Sequence, residues 1–215
     1  MNVRFTYDEN KDIQCLLEYG AGSQNSPKRT KAYEDLLAYT DGLSDTEKVR
    51  AFVRDYISKH SLDLLAIATR LQQDWDGISE RFEERVEHIF GAALSGTFTA
   101  YVTIAGRYPY NLKEHYFFVS PAASGANRTA MHELLHFYTW EAFGDYVRKG
   151  IISAQKYNDL KESLTVLLNL EFSDLLSGDV DKGYPQHTEL RARVAALWSE
   201  HKDIRKVFKS LIGKE

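Results

Sequence analysis

Residues 127–138 read NRTAMHELLHFY, and this is the most informative stretch of the sequence. His132, Glu133 and His136 form an HExxH pattern, and nearly all of their neighbours are apolar. A surface helix normally keeps such polar side chains on a separate, solvated face. The sequence therefore predicts a strongly apolar helix carrying this polar group, with Asn127 or Thr129 as its N-cap.

The spacing within HExxH favours metal binding. His132 and His136 are four residues apart and so lie one turn apart on the same helix face. Their imidazoles can converge on one zinc ion at about 2.0–2.1 Å. Glu133 is rotated by about 100° from His132 and can reach a water on the metal, where a general base is needed. The pattern predicts a zinc site with Glu133 as the catalytic base.

A catalytic zinc ion usually has three protein ligands and a water, so a third ligand is expected. The next predicted helix, 158–176, offers Glu162 and Glu171. Only one can face the metal, because nine residues place them on opposite sides of the helix. Glu162 is favoured because it shares a polar stripe with Thr165, Asn169 and Ser173. Glu171 is the alternative, since a carboxylate among leucines needs a partner or a ligand.

Two segments resemble the gluzincin metallopeptidases, the thermolysin-like branch of the HExxH zinc enzymes. They are AMHELLHF at 130–137 and ESLT at 162–165. The glycine and third histidine of the metzincins do not follow HELLH. The resemblance implies that His132, His136 and Glu162 are zinc ligands, with Glu133 as general base and proton shuttle.

The resemblance also implies an edge strand, near Tyr116–Ser120, that binds an extended peptide by β-augmentation. One departure concerns the aspartate that often follows the ligand glutamate by one turn, because Val166 stands there. Support for a histidine must then come from elsewhere. A donor for the oxyanion is also needed, and the turn at 181–187 offers Tyr184 or His187, with Tyr157 as a third candidate.

The sequence on either side of this motif predicts an α+β, zincin-like fold. A small mixed or antiparallel sheet is expected to pack on the active-site helix, with additional helices. Val3–Tyr7 and Ile13–Tyr19 are expected to form a hairpin or strand pair, and 97–104 and 115–120 to form neighbouring antiparallel strands. Residues 20–30 form a loop, and 30–94 are helical. The predicted division is 1–94, N-terminal strands plus helices, and 95–215, the catalytic subdomain, together forming one compact unit.

Bulk properties narrow the class of protein. The 215 residues have a net charge of −4, which argues against a nucleic-acid partner. Cys15 is the single cysteine, so no internal disulfide is possible, and its apolar surroundings predict a buried thiol. Neither a signal peptide nor a membrane-spanning segment is expected, which favours the cytoplasm.

The function predicted from these features is zinc-dependent hydrolysis, with an extended peptide or protein as substrate. Three alternatives remain open. The enzyme could cleave a non-peptide amide or a modified nucleotide. The chain could be a non-enzymatic helical interaction protein in which HELLH is incidental or structural. It could also be a latent enzyme whose residues 1–90 cover the cleft.

Overall fold

A computed structural model describes residues 1–22, 28–40, 46–122 and 125–213. These residues form one small mixed sheet and a larger set of helices, which confirms the α+β class. The strands are β1 Asn2–Thr6, β2 Thr97–Val102, β3 Tyr110–Asn111 and β4 Tyr116–Val119. The helices are α1 Glu9–Tyr19, α2 Lys31–Thr40, α3 Thr46–Lys59, α4 Leu64–Asp76, α5 Ser79–Phe90, α6 Ala126–Arg148, α7 Ala154–Leu164, α8 Leu167–Glu171, α9 Thr188–His201 and α10 Ile204–Ile212, with a 3-10 helix at Pro185–His187. The finer zincin-like assignment stays a prediction.

The chain divides into two compact units, each built from separate stretches of sequence. The sheet unit comprises Asn2–Asp76 and Gly96–Ala130. The helical unit comprises Met1, Gly77–Ser95 and Met131–Glu215. The division of the sequence at 94/95 stays a prediction.

The sheet has the strand order β1-β2-β4-β3. The first three of these strands run parallel, with Phe5 opposite Ala100 and Ala100 opposite Phe117. The prediction that 97–104 and 115–120 pair antiparallel was therefore wrong. Residues 103–115 connect β2 to β4, and a connection of about a dozen residues is long enough to bring the chain back for a parallel pairing.

The expected edge strand near Tyr116–Ser120 is also corrected. β4 lies between β2 and β3 rather than at an edge. All four of its residues are buried, as expected for a strand covered on both faces. The outer strand is the two-residue β3, which pairs antiparallel with Tyr116 and Phe117. Asn111 Oδ1 accepts bonds from the backbone N–H groups of Lys113 and Glu114, and this turn reverses the chain into β4.

The second predicted N-terminal strand, Ile13–Tyr19, is part of helix α1 instead. Asp8 caps the helix, because its side chain accepts from the backbone N–H groups of Asn10 and Lys11. The buried side chains Asp12, Ile13, Cys15 and Leu16 then follow helical spacing. Of the two predicted N-terminal strands, only Val3–Tyr7 is confirmed, as strand β1. The buried thiol predicted at Cys15 is confirmed, since the residue is 0% exposed.

The remaining local predictions concern helices and one loop. Helices α2 to α5 occupy the region predicted to be helical. Residues 20–22 and 28–30 of the predicted loop lie outside helices and strands, while 23–27 fall outside the described residues. Among the described helices, none combines the length and apolar character needed to cross a bilayer.

Candidate metal centre

Helix α6 carries His132, Glu133 and His136 in the helical unit. Every residue from 130 to 139 is buried except His132, which is half-buried. The side chain of His132 is 17% exposed and that of His136 is 2% exposed. Their ring centroids lie 4.6 Å apart, so the two imidazoles converge as the spacing predicted. Of the two, His132 is the more accessible to solvent.

Helix α7 brings Glu162 to the same place. The helix begins after Ser153, whose hydroxyl accepts from the backbone N–H of Lys156 at 3.1 Å. Near its other end, Glu162 Oε2 lies 3.5 Å from His132 Nε2 and 3.6 Å from His136 Nε2. Oε2 is buried and accepts no hydrogen bond from the described residues. Among those residues, the three side chains form a group that could hold a metal ion, with ligand atoms within 4.8 Å of one another.

These separations fit a zinc ion. Ligand atoms about 2.0–2.1 Å from a tetrahedral zinc lie roughly 3.3 Å from each other. The two observed separations, 3.5 and 3.6 Å, are only slightly larger. Two neutral nitrogens and one carboxylate oxygen are also a common donor set for catalytic zinc. The residues present therefore fit the ion that the motif implies.

Glu171, the alternative third ligand, has other partners in the helical unit. Its Oε1 accepts from Trp198 Nε1 at 2.5 Å and from Lys202 Nζ at 2.5 Å. Partial burial would raise the pKa of Glu171, but the hydrogen bonds from Lys202 and Trp198, together with the charge of Lys202, hold it below its ordinary value. This pairing explains why a carboxylate is tolerated beside leucines.

Val166 stands where an aspartate that supports a histidine was looked for. Asp181 provides this support instead. Asp181 Oδ2 lies 2.6 Å from His132 Nδ1, and the aspartate is 3% exposed. Burial alone would lower the pKa of His132. The hydrogen bond to Asp181 and, to a smaller extent, the neighbouring Glu162 carboxylate raise this pKa to about 10. With Nδ1 donating to this carboxylate, Nε2 is the nitrogen directed toward the ligand group.

Asp181 is itself held on several sides. Arg191 Nη2 lies 2.9 Å from Asp181 Oδ1 and donates to the Asp181 carbonyl at 2.7 Å. The hydroxyl of Thr165 lies 3.0 Å from the same Oδ1 and accepts from Arg191 Nη1 at 2.6 Å. The Asn169 side-chain amide donates to the carbonyl of Asp181 and accepts from its N–H, both at 2.8 Å. Such a fixed carboxylate can orient the His132 ring.

The surroundings of His136 and Glu162 favour the neutral imidazole and the ionised carboxylate, which are the states that bind a metal. Burial, followed by the positive charge of Lys161, holds the pKa of His136 well below its ordinary value and keeps the ring neutral. Burial opposes ionisation of Glu162, but the two histidines and the Lys161 ammonium hold its pKa well below the ordinary range. Lys161 Nζ donates to Glu162 Oε1 at 2.7 Å, and both residues are buried.

Glu133 is 7% exposed, and burial raises its pKa to about 8. The positive charge of His132 opposes this shift, while the negative charge of Glu162 adds to it. A carboxyl group with a pKa near neutrality can both take up and release a proton at physiological pH.

The three candidate oxyanion donors have other neighbours. His187 is buried, with Nε2 3.2 Å from Asp159 Oδ1, and its ring lies 6.0 Å from that of Tyr184. The ring of Tyr157 packs edge-on against Trp140 at 5.5 Å. The roles of Tyr184 and His187 in catalysis stay predictions.

Lys161, Asp181 and Arg191 are the site residues whose roles the sequence did not reveal. Lys161 precedes a candidate ligand, and a lysine beside glutamate reads as an ordinary surface charge. Arg191 lies on α9, far along the chain from the motif.

Comparisons of this chain with protein-family models, with curated proteins and with solved structures give no significant match.

Proposed function

We propose that the protein is a zinc-dependent hydrolase that cleaves peptide bonds. The observation that carries the proposal is the convergence of His132 Nε2, His136 Nε2 and Glu162 Oε2 in a buried group, with separations of 3.5 and 3.6 Å that suit zinc. Glu133, which follows the first ligand in sequence, is itself buried.

In this proposal His132, His136 and Glu162 hold the ion. A zinc ion bound there supplies a water of lowered pKa and polarises the scissile carbonyl. The Glu133 carboxylate removes a proton from the attacking water and delivers it to the leaving amine. Asp181 keeps the His132 ring oriented through Nδ1. His132 is the half-buried member of the group, and we infer that solvent and substrate reach the group from its side.

Metal analysis of three proteins tests the ligand set. We expect the wild type to bind zinc at one ion per chain and Glu162→Ala to lose it. Glu171→Ala is the matched control and should retain zinc, because Glu171 is paired with Trp198 and Lys202. A wild-type chain that binds no zinc would exclude the proposal.

Kinetics of Glu133→Gln test the chemistry. The amide cannot act as a base, so we expect zinc to be retained while kcat falls by about 100-fold or more. Peptide substrates assayed beside small non-peptide amides separate the two hydrolase classes. Normal hydrolysis by Glu133→Gln would contradict the mechanism, and a zinc-loaded wild type without hydrolysis in either assay would favour a structural metal site.

A further inference from the structure

Lys161 and Glu162 are consecutive residues on α7, and both are buried at 6% exposure. Neighbouring side chains on a helix diverge by about 100°, so adjacent residues do not normally face each other. Here the Lys161 ammonium nevertheless donates to Glu162 Oε1 at 2.7 Å. The pair differs in kind from the exposed ion pair of Lys149 with Asp145, which lies at ordinary i,i+4 spacing.

The two oxygens of Glu162 therefore have different environments. Oε1 accepts from Lys161, while Oε2 is near both histidine Nε2 atoms and accepts no hydrogen bond from the described residues. Lys161 therefore competes with a cation for Oε1, while Oε2 is the oxygen that lies beside the histidine nitrogens. A carboxylate with both oxygens available can bind a metal in either a one-oxygen or a two-oxygen mode.

Stability alone does not explain the lysine. Burying an ammonium group carries a large desolvation cost, and an apolar side chain of similar volume is often at least as stabilising as a buried ion pair. An ammonium next to a cation site also repels the cation. A residue with these costs is better explained by the geometry it imposes.

We propose that Lys161 is a positioning residue that restricts Glu162 to one metal-binding oxygen and so keeps the centre four-coordinate. This inference rests on the proposed function. Zinc accepts three protein ligands and a water, whereas manganese and calcium prefer larger sets of oxygen ligands. Lys161 thereby favours zinc over manganese.

The test compares the wild type with Lys161→Met, which keeps the length of the apolar stem but removes the ammonium. Lys149→Met is the matched control, because it removes a lysine from an exposed pair with a carboxylate. Cobalt(II) replaces zinc in each protein, and visible absorption reports the coordination number. The ratio of zinc to manganese affinity is measured by competition.

We expect the wild type and Lys149→Met to give the intense bands of four-coordinate cobalt. Lys161→Met should give the weaker bands of a higher coordination number, and its zinc-to-manganese ratio should fall by about 10-fold or more, since outer-shell partners typically change metal binding by about 10- to 100-fold. Lys161→Arg keeps a donor for Oε1 and should resemble the wild type. Lys161→Gln is too short to replace the ammonium and gives a second test if Lys161→Met does not fold.

The possible failures are distinguishable. If the wild type binds one zinc but the Lys161→Met and Lys161→Gln proteins keep both its cobalt spectrum and its metal preference, the inference about Lys161 is wrong and the proposed function stands. If the wild type binds neither zinc nor cobalt, the proposed function fails and the inference fails with it.

Discussion

Asp181 joins three segments of the helical unit through one carboxylate. It contacts His132 on α6, Thr165 just after α7 and Arg191 on α9. Burial alone would raise the pKa of Asp181, but the hydrogen bond and charge of His132, followed by Arg191, hold it below its ordinary value. The group therefore remains a carboxylate that accepts from His132 Nδ1.

Asp181→Asn tests this role. An amide removes the charge that orients the ring, so we expect zinc affinity to fall by about 10- to 100-fold. Asp174→Asn is the control, because Asp174 pairs with Arg85 at an exposed position. Zinc titration by calorimetry measures both variants, and equal affinities for them would show that Asp181 does not act on the metal site.

Asp12 is another buried carboxyl group, in the sheet unit and far along the sequence from the motif. It is 0% exposed, and its Oδ1 accepts from the Thr103 hydroxyl at 2.6 Å and the Ile104 N–H at 3.0 Å. Burial raises its pKa to about 6, although these hydrogen bonds oppose the shift. The folded chain thus holds the Asp12 proton more tightly than the unfolded chain does.

This difference predicts a pH-dependent stability. A raised pKa in the folded state means that stability falls as pH rises from about 4 to about 6 and is level above that window. The rise in the pKa of Asp12 to about 6 corresponds to roughly 3 kcal/mol in the free energy of unfolding. Urea titrations at pH 4 and pH 7 should show this loss in the wild type relative to Asp12→Asn, whose amide does not titrate.

Thr103→Val provides a companion measurement. It removes a donor that favours the charged form of Asp12, so the window of pH-dependent loss should extend upward. Identical pH profiles for the wild type and Asp12→Asn would contradict the assignment.

At the scale of elements, the segment between α8 and the 3-10 helix determines where Asp181 lies. Gly183 has φ +61°, and a Cβ there would lie 2.7 Å from the Arg191 side chain. Gly178 has φ +83°, but a Cβ there would meet nothing within 4 Å among the described residues. Both positions have a positive φ, but of the two only Gly183 would place a Cβ against another side chain.

Alanine substitutions at these positions separate the two effects. Each should cost about 1–2 kcal/mol of stability, because L-residues are strained at positive φ. Gly183→Ala should also displace Arg191 from Asp181 and weaken zinc binding, whereas Gly178→Ala should not. Melting temperature and zinc affinity measured together would reject this account if both variants lost affinity equally.

Elements were predictable from sequence where one local pattern dominates. The HELLH helix and helices α2 to α5 have clear helical spacing, and they are present in the structure. Helix α1 was missed because its β-prone residues hid the Asp8 cap. The pairing of β4 with β2 was predicted, but its parallel direction was missed, because periodicity identifies a strand and does not give its direction. Strand β3 has only two residues, too few for any periodicity.

Over the whole chain, site residues that are close together in the sequence were predictable, and those that are far apart were not. His132, Glu133 and His136 come from a single helical turn, so their spacing alone predicts their geometry. Glu162 needed a judgement between two carboxylates of one predicted helix, 158–176, which in the structure is divided into α7 and α8. The contact of Asp181 with His132 spans 49 residues, and no local pattern could have indicated it.

Metal loading should stabilise the part of the chain that contains the site. A ligand that binds only the folded state adds about 2.7 kcal/mol at 100 times its Kd. For a chain of this size, that corresponds to a rise of about 5–10 °C in the melting temperature of the helical unit. Calorimetry with zinc and with a chelator measures the shift.

Glu162→Ala should lose this shift and Glu171→Ala should keep it, because of these two carboxylates only that of Glu162 lies beside the histidine nitrogens. Hydrogen exchange should show the added protection in α6, α7 and α9, and an equal zinc response in Glu162→Ala would mean that the ion binds elsewhere.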